Sequence, residues 1–248
     1  MKRLIKRLLN FALKRISKEN QIVSHELGKD SLLMTLIGVL KKSGFTPSLI
    51  VDIGANRGTW SRLWKREFPK AKFILIEPQF WLKEYLHDLL DDKAIFLPIG
   101  VGSKDGSFKF TINSDRDDSS TFACTDDEAM LLGFKQIDVP VKTINTIIAE
   151  AGHHIPDIVK IDAEGLDLEV LDGASKLIGK TEIFLVEASI NSRFKNTEIA
   201  TVINYMDNLG YRVFDITDLN RPFENRVLWL IELVFVRKNG FFTCKEWV

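Results

Sequence analysis

Apolar positions follow two rhythms along this chain. In residues 3–18, and again in Ser31–Lys42, they recur every three to four positions, the period of a helix with one buried face. Leu4, Ile5, Leu8, Leu9, Ala12 and Ile16 share one broad face of the first stretch, with Lys6, Arg7 and Lys14 opposite. The second stretch stops at Ser43-Gly44, with Pro47 beyond. From Leu49 onward short apolar runs take over: Leu49–Ile53, Lys72–Ile76, Ala94–Ile99, Asp157–Ile161, Glu182–Glu187, Tyr211–Phe214 and Val227–Val236. Their Ile, Val, Leu and Phe content suits strands buried on both faces. Helical patterns fill the gaps at Thr59–Glu67, Trp81–Leu90, Leu166–Leu177 and Glu198–Leu209. Such alternation predicts a parallel sheet with right-handed crossovers, covered on both sides. Ser107–Asn113 predicts one more short strand after the Lys104-Asp105-Gly106 turn. Residues 114–136 read as a polar, irregular loop, with Asp115, Asp117, Asp118, Ser119 and Ser120 close together.

Composition narrows the class. The 248 residues are 45% apolar and 27% charged, which fits a globular protein and excludes a disordered or fibrous one. Lys and Arg total 34, as do Asp and Glu, so no overall charge points to nucleic acid. The zero hides a split. Residues 1–18 hold seven of the basic side chains and no acid, leaving 27 basic against 34 acidic, a net −7, in the rest. Cys124 and Cys244 are far apart and fit no metal or redox spacing, which argues for a reducing compartment. No apolar run reaches 18 residues, and Lys14, Arg15 and Lys18 interrupt the stretch a secretory signal would need. A cytoplasmic protein is expected. Residues 1–45 read as an N-terminal helical extension and 46–248 as the main domain. The basic helix of residues 1–18 either contacts the inner face of a membrane or packs on the acidic body or a twin subunit.

The first strand runs into Asp52-Ile53-Gly54-Ala55-Asn56-Arg57-Gly58 and then a helix. Ligands of open parallel sheets sit at the carboxyl ends of such strands. A P-loop needs a Gly-Lys-Ser/Thr ending, and this loop ends Gly58-Thr59-Trp60. A dinucleotide fingerprint needs a second glycine where Asn56 stands. Asp52 would repel a pyrophosphate but suits a ligand with an ammonium and a sulfonium, such as S-adenosylmethionine. Glu77 ends the second strand, 23 residues after Gly54, where an acid binds a ribose diol. Asp52, Gly54, Ala55, Asn56, Gly58 and Glu77 therefore form the expected cofactor site. A branched side chain at Gly54 is expected to fill the ligand space without disturbing the fold.

These motifs carry a family resemblance. The Asp52–Gly58 loop, Ile76-Glu77-Pro78 and Pro140–Ile144 are its first parts. A later block begins Lys160-Ile161-Asp162-Ala163-Glu164-Gly165 and ends Leu171-Asp172-Gly173-Ala174, and a strand ending Val186-Glu187 follows. Together, over about residues 49–190, they resemble the FkbM family of S-adenosylmethionine-dependent methyltransferases. Leu166-Asp167 stands where many members have Ala-Glu. The resemblance implies an α/β, class I methyltransferase (Rossmann-like) fold: a seven-stranded, mostly parallel sheet, its last strand antiparallel, with helices on both faces. It also implies O-methylation of a hydroxyl on a sugar, glycan or natural product, and places Gly100 and Val101 beside the adenine.

A sulfonium methyl is already activated, so the protein mainly has to align the acceptor oxygen and remove its proton. Asp162 is the first candidate base, with Glu164 and Glu187 next. The same acids offer Mg²⁺ a site instead, and Glu164 equally suits a helix cap. Lys160, inside a strand, is expected to pair with an acid. His153 and His154 fall at the opposite end of the sheet from the site. A nicotinamide-dependent oxidoreductase and a non-catalytic binding domain of the same fold are the alternatives. The acceptor is expected to be a small molecule or glycan, with no nucleic-acid partner.

Overall fold

A computed structural model describes residues 31–112, 125–191 and 197–243. The basic helix expected at residues 3–18, both cysteines and most of the aspartate-rich loop lie outside the described residues.

Helix α1 (Ser31–Lys42) buries Leu33, Leu36, Ile37 and Leu40, the one face its spacing predicts. It ends on Gly44 at φ 82°, where the amide of Phe45 donates to the carbonyl of Leu40, a glycine-type helix stop. Strand β1 (Leu49–Ile53) is buried throughout. Next come α2 (Thr59–Glu67), β2 (Lys72–Ile76), a 3₁₀ helix at Phe80–Leu86 and β3 (Ala94–Leu97). After an insertion, α4 (Ile144–Glu150), β7 (Ile158–Ile161), α5 (Asp167–Asp172), β8 (Ile183–Ser189), α6 (Ile199–Asn208), β9 (Tyr211–Asn220) and β10 (Leu230–Arg237) complete the domain. The sheet order is β3-β2-β1-β7-β8-β10-β9. β10 alone runs antiparallel to its neighbours, as the class I arrangement requires.

Each face of the sheet carries its own core. Helices α4, α5 and α6 cover one, where Val51, Ile161, Val186 and Leu233 meet Ile147, Val170 and Met206. Helices α1 and α2 cover the other, where Ile50, Phe73, Ile158 and Val234 meet Leu36, Leu40 and Trp64. Trp64 is fully buried and stacks on Phe68 one turn later.

The insertion departs from the sequence reading. Of the stretch 114–136 read as an irregular loop, the described part from residue 125 is regular. Thr125 caps α3 (Asp126–Leu132) in a reciprocal capping box with Glu128. β6 (Lys135–Lys142) follows and joins β4 (Gly100–Val101) and β5 (Gly106–Ile112) in a second sheet, ordered β4-β6-β5. The helix expected at Trp81–Leu90 is the shorter 3₁₀ turn. The one expected at Leu166–Leu177 stops at Asp172 with Gly173 as its C-cap, a position only glycine fits, since a Cβ there would lie 2.3 Å from the carbonyl oxygen of Gly102. Among the described residues no helix is long and apolar enough to cross a membrane.

Candidate functional site

The loop after β1 is built from left-handed residues: Gly54, Asn56 and Gly58 have φ of 76°, 43° and 77°. The amides of Gly54 and Ala55 both donate to the carbonyl of Ile76 at 3.0 Å, which pins the loop to the end of β2. A Cβ at Gly58 would stand 2.6 Å from Leu86 and from Leu89, so glycine lets the 3₁₀ turn pack there. No side chain caps the first turn of α2, which opens beside the loop.

Glu77 follows β2 and is buried. Its Oε2 accepts from the amide of Asn56 at 3.0 Å; its Oε1 accepts from the amide of Gln79 at 3.0 Å and from Gln79 Nε2 at 3.2 Å. Burial raises its pKa, and these donors oppose the rise. Glu77 thus clasps the glycine loop at the carboxyl end of β2.

Asp52 is fully buried and lies below the cleft rather than in its lining. Its Oδ2 accepts from Ser61 Oγ at 2.6 Å, and its Oδ1 stands 3.6 Å from Lys160 Nζ. The contact follows from register, because Asp52 and Lys160 are partners across β1 and β7. Burial pushes the Asp52 carboxyl up; Lys160 and Ser61 pull it back. Lys160 is buried too, and its ammonium also donates to Asp162 Oδ2 at 3.0 Å and to the carbonyl of Gly54 at 3.5 Å. Burial works against that charge, but Asp162, Asp52 and Glu232 together outweigh it and raise the Lys160 pKa.

Past β7 the chain turns sharply. Glu164 has φ 50° and Gly165 φ 97°. The side chain that braces this turn is Asp167, whose Oδ1 accepts from the amide of Ala163 at 3.0 Å. Burial raises the pKa of Asp167, and its Oδ2 makes no hydrogen bond. Glu187, half-buried near the end of β8, stands opposite Glu232 of β10, which in turn stands opposite Asp218 of β9. Side chains directly opposite lie about 5 Å apart at Cβ. Burial first, then repulsion from Asp162, Asp167 and Glu164, pushes the Glu187 carboxyl well above the usual carboxylate range. Burial pushes Glu232 up to about 7, against the pull of Lys160 and of Thr217, whose hydroxyl donates to its Oε1.

These groups border an open cleft of about 820 Å³, part of it solvent, between α1 and α2 and the strand ends. Its lining includes Gly54, Ala55, Asn56, Arg57, Trp60, Lys160, Asp162, Asp218 and Glu232. Gly100 and Val101 lie apart, in the second sheet. Val101 borders another cavity with Gly102, Phe108, Leu166 and Glu169. The Asp162–Leu166 turn runs between the two, with Asp162 lining the first and Leu166 the second. His154 bonds Ser48 before β1, at the amino end of the sheet, away from both. Among the described residues no three His, Cys, Asp or Glu groups come together to hold a metal ion.

Two expectations change. A Cβ at Gly54 would lie 2.1 Å from the carbonyl oxygen of Asp162, so a side chain there meets the β7 backbone before it meets any ligand. Sequence reasoning also missed Thr217, Asp218 and Glu232. Glu232 left a signal, as the one charged residue in the Leu230–Val236 run.

The family model described as "Methyltransferase FkbM domain" matches residues 52–213, and the chain belongs to that family. Methyltransferase sdnD of Sordaria araneosa is 28% identical over 156 residues, 51% of this chain and 60% of that protein. The matched region thus spans less than two thirds of that relative. Among solved structures, the plantazolicin methyltransferase BamL, in complex with a triazolic desmethylPZN analog and SAH, is 12% identical with a TM-score of 0.47. The match covers 90% of each chain. The 1,6-didemethyltoxoflavin-N1-methyltransferase of Burkholderia thailandensis, with S-adenosylhomocysteine bound, is 11% identical with a TM-score of 0.44, covering 93% of this chain and 87% of that one.

Proposed function

We propose that the protein is an S-adenosylmethionine-dependent O-methyltransferase acting on a hydroxyl of a sugar, glycan or natural product. The observation that carries this reading is the cleft beside the glycine loop, which Asp162 and Asp218 line together with Lys160 and Arg57. Carboxylates there suit a ligand bearing a sulfonium and an ammonium. The uncapped first turn of α2 suits the donor's carboxylate, and Glu77 its ribose diol. When bound, the donor supplies a methyl group already activated for displacement. The chain's own part is to fix the donor through the Gly54–Gly58 loop and Glu77, and to take the acceptor's proton. Glu187 is the better-suited base: burial and the neighbouring acids raise its pKa, which makes its carboxylate a stronger proton acceptor. Asp162 already receives the Lys160 ammonium on Oδ2 and is better suited to orientation. Glu164 remains a third candidate at the same turn.

Calorimetric titration tests the reading against the oxidoreductase alternative. S-adenosylmethionine is expected to bind and NAD to give no heat. A chain that shows no heat with S-adenosylmethionine at millimolar concentration is not the enzyme proposed. Transfer of labelled methyl to cell-extract glycans then identifies the acceptor.

We assign the chain from Ser31 onward to the methyltransferase domain, because α1 packs on the sheet and not apart from it as a boundary at residue 46 would have it, and residues 1–18 to a basic interfacial helix that holds the enzyme at the inner face of an anionic membrane. Seven basic residues, with no acid, beside a continuous Leu/Ile face support it. Each is worth about 1 kcal/mol near anionic lipid. Full-length protein is expected to float with anionic vesicles, and a chain lacking residues 1–18 to stay behind with an unchanged melting temperature. Full-length protein that never floats, or a deletion that unfolds the domain, makes the helix structural.

A further inference from the structure

Lys160 has an unusual position for a buried cation. It lies inside a central strand, two residues before Asp162 and on the same face of the sheet. Its ammonium reaches three groups on two chain segments: Asp162 Oδ2 at 3.0 Å, the carbonyl of Gly54 at 3.5 Å and Asp52 Oδ1 at 3.6 Å. Asp52 is in turn held by Ser61 of α2 at 2.6 Å. One continuous set of contacts therefore runs from the first helix after the glycine loop, through the floor of the cleft, to the carboxylate at the end of β7.

We propose that Lys160 is a positioning residue of the methyl-transfer site, fixing the Asp162 carboxylate relative to the Gly54–Gly58 loop. The inference rests on the reading above for its catalytic consequence, but its geometric part stands alone. Asp52 fits the same logic. It is sealed from the cleft, its Oδ1 makes no hydrogen bond, and its link to the site is the ion pair with Lys160 at 3.6 Å. Its place in the loop motif is then explained as the anchor of the ammonium and not as a ligand contact. The charged groups that face Lys160 are Asp52 from β1, Asp162 after β7, Glu187 from β8 and Glu232 from β10. An apolar side chain at position 160 would leave Asp52 buried with only the Ser61 hydroxyl, and would free Asp162 to swing.

The test compares wild type with Lys160→Met and Lys160→Arg. In the donor-free protein, three-bond couplings at Asp162 should report one side-chain rotamer in wild type and in Lys160→Arg, and rotamer averaging in Lys160→Met. With donor and acceptor, Lys160→Met should lose about 10²-fold in kcat, the scale of a misplaced reacting group. The donor Kd should change by much less than that, and Lys160→Arg should recover most of the rate. A single Asp162 rotamer and near-normal kcat in folded Lys160→Met overturn the proposal. Should that variant not fold, rotamer averaging at Asp162 in wild type itself overturns it. If wild type binds no S-adenosylmethionine, the functional reading fails, while the donor-free couplings still decide what Lys160 does.

Discussion

Glu187→Gln is expected to lower methyl transfer by about 10²–10⁴-fold, the usual cost of removing a general base. Donor affinity should stay within a few-fold of wild type. The amide keeps the shape of the side chain but cannot take a proton, so loss of rate at constant donor Kd isolates the proton-transfer role. The wild-type rate should rise with pH through an apparent pKa above the usual carboxylate range, because burial and the neighbouring Asp162, Asp167 and Glu164 disfavour the charged form. Stability should move the other way. A carboxyl whose folded pKa is raised binds more protons folded than unfolded, so between the two pKa values stability falls as pH rises. Glu187→Gln removes that loss and should melt higher than wild type at neutral pH, with a smaller difference near pH 4. A variant with less activity and more stability is hard to explain as misfolding. Asp162→Asn is the comparison. If it removes the acidic limb of the rate–pH profile while Glu187→Gln turns over normally, the base is Asp162.

The legible parts of this fold are those where one face of an element is buried and the pattern says so. The stretches Ser31–Lys42, Leu49–Ile53, Thr59–Glu67 and Lys72–Ile76 match their elements end to end. β9 was read only as far as Phe214 but continues to Asn220. Register shifts against β10 break its two-residue alternation at Phe214 and Thr217, and no period survives in the sequence. Of the second sheet, β5 was expected as the Ser107–Asn113 strand, but β6 was hidden differently: it is half-exposed, and its first residues carry the polar pattern of the preceding loop. The Thr125-Asp126-Asp127-Glu128 capping box was visible and announces α3. At the site, the structure brings the loop and Asp162 into one cleft lining, with Glu77 bonded to the loop and Glu187 opposite Glu232, because strand ends of a parallel sheet converge by topology. The buried lysine was expected to pair with an acid, and it meets two. That Asp52 points down to Lys160 and Ser61, and not up into the cleft, depends on side-chain direction at one strand position. That Glu187, Glu232 and Asp218 share a rung depends on the register of two antiparallel strands. Neither is written in residue order.

Gly54→Ala is expected to destabilise the domain and abolish donor binding together, for a reason specific to its place between strands. Gly54 sits at φ 76°, where an L-residue costs about 1–2 kcal/mol. Its Cβ would also stand 2.1 Å from the carbonyl oxygen and 3.4 Å from Cβ of Asp162. That oxygen belongs to the backbone of the neighbouring strand end, which the amide of Asp162 ties to the carbonyl of Ile53 at 3.2 Å, so neither partner can step aside cheaply. Overpacking of this kind costs about 1–3 kcal/mol more. Relief has to come from spreading the ends of β1 and β7, which moves the glycine loop and Asp162 apart and breaks the Lys160 contact to the Gly54 carbonyl. Gly44→Ala supplies the control. Gly44 has a similar φ of 82° but nothing within 4 Å of a Cβ, so it isolates the conformational cost alone. Urea unfolding should place Gly54→Ala below Gly44→Ala in stability, and calorimetry should find the donor bound by the second variant but not by the first. If Gly54→Ala unfolds at the same urea concentration as Gly44→Ala and still binds S-adenosylmethionine, the strand ends spread at no cost to admit a Cβ 2.1 Å from the Asp162 carbonyl oxygen, and the account fails.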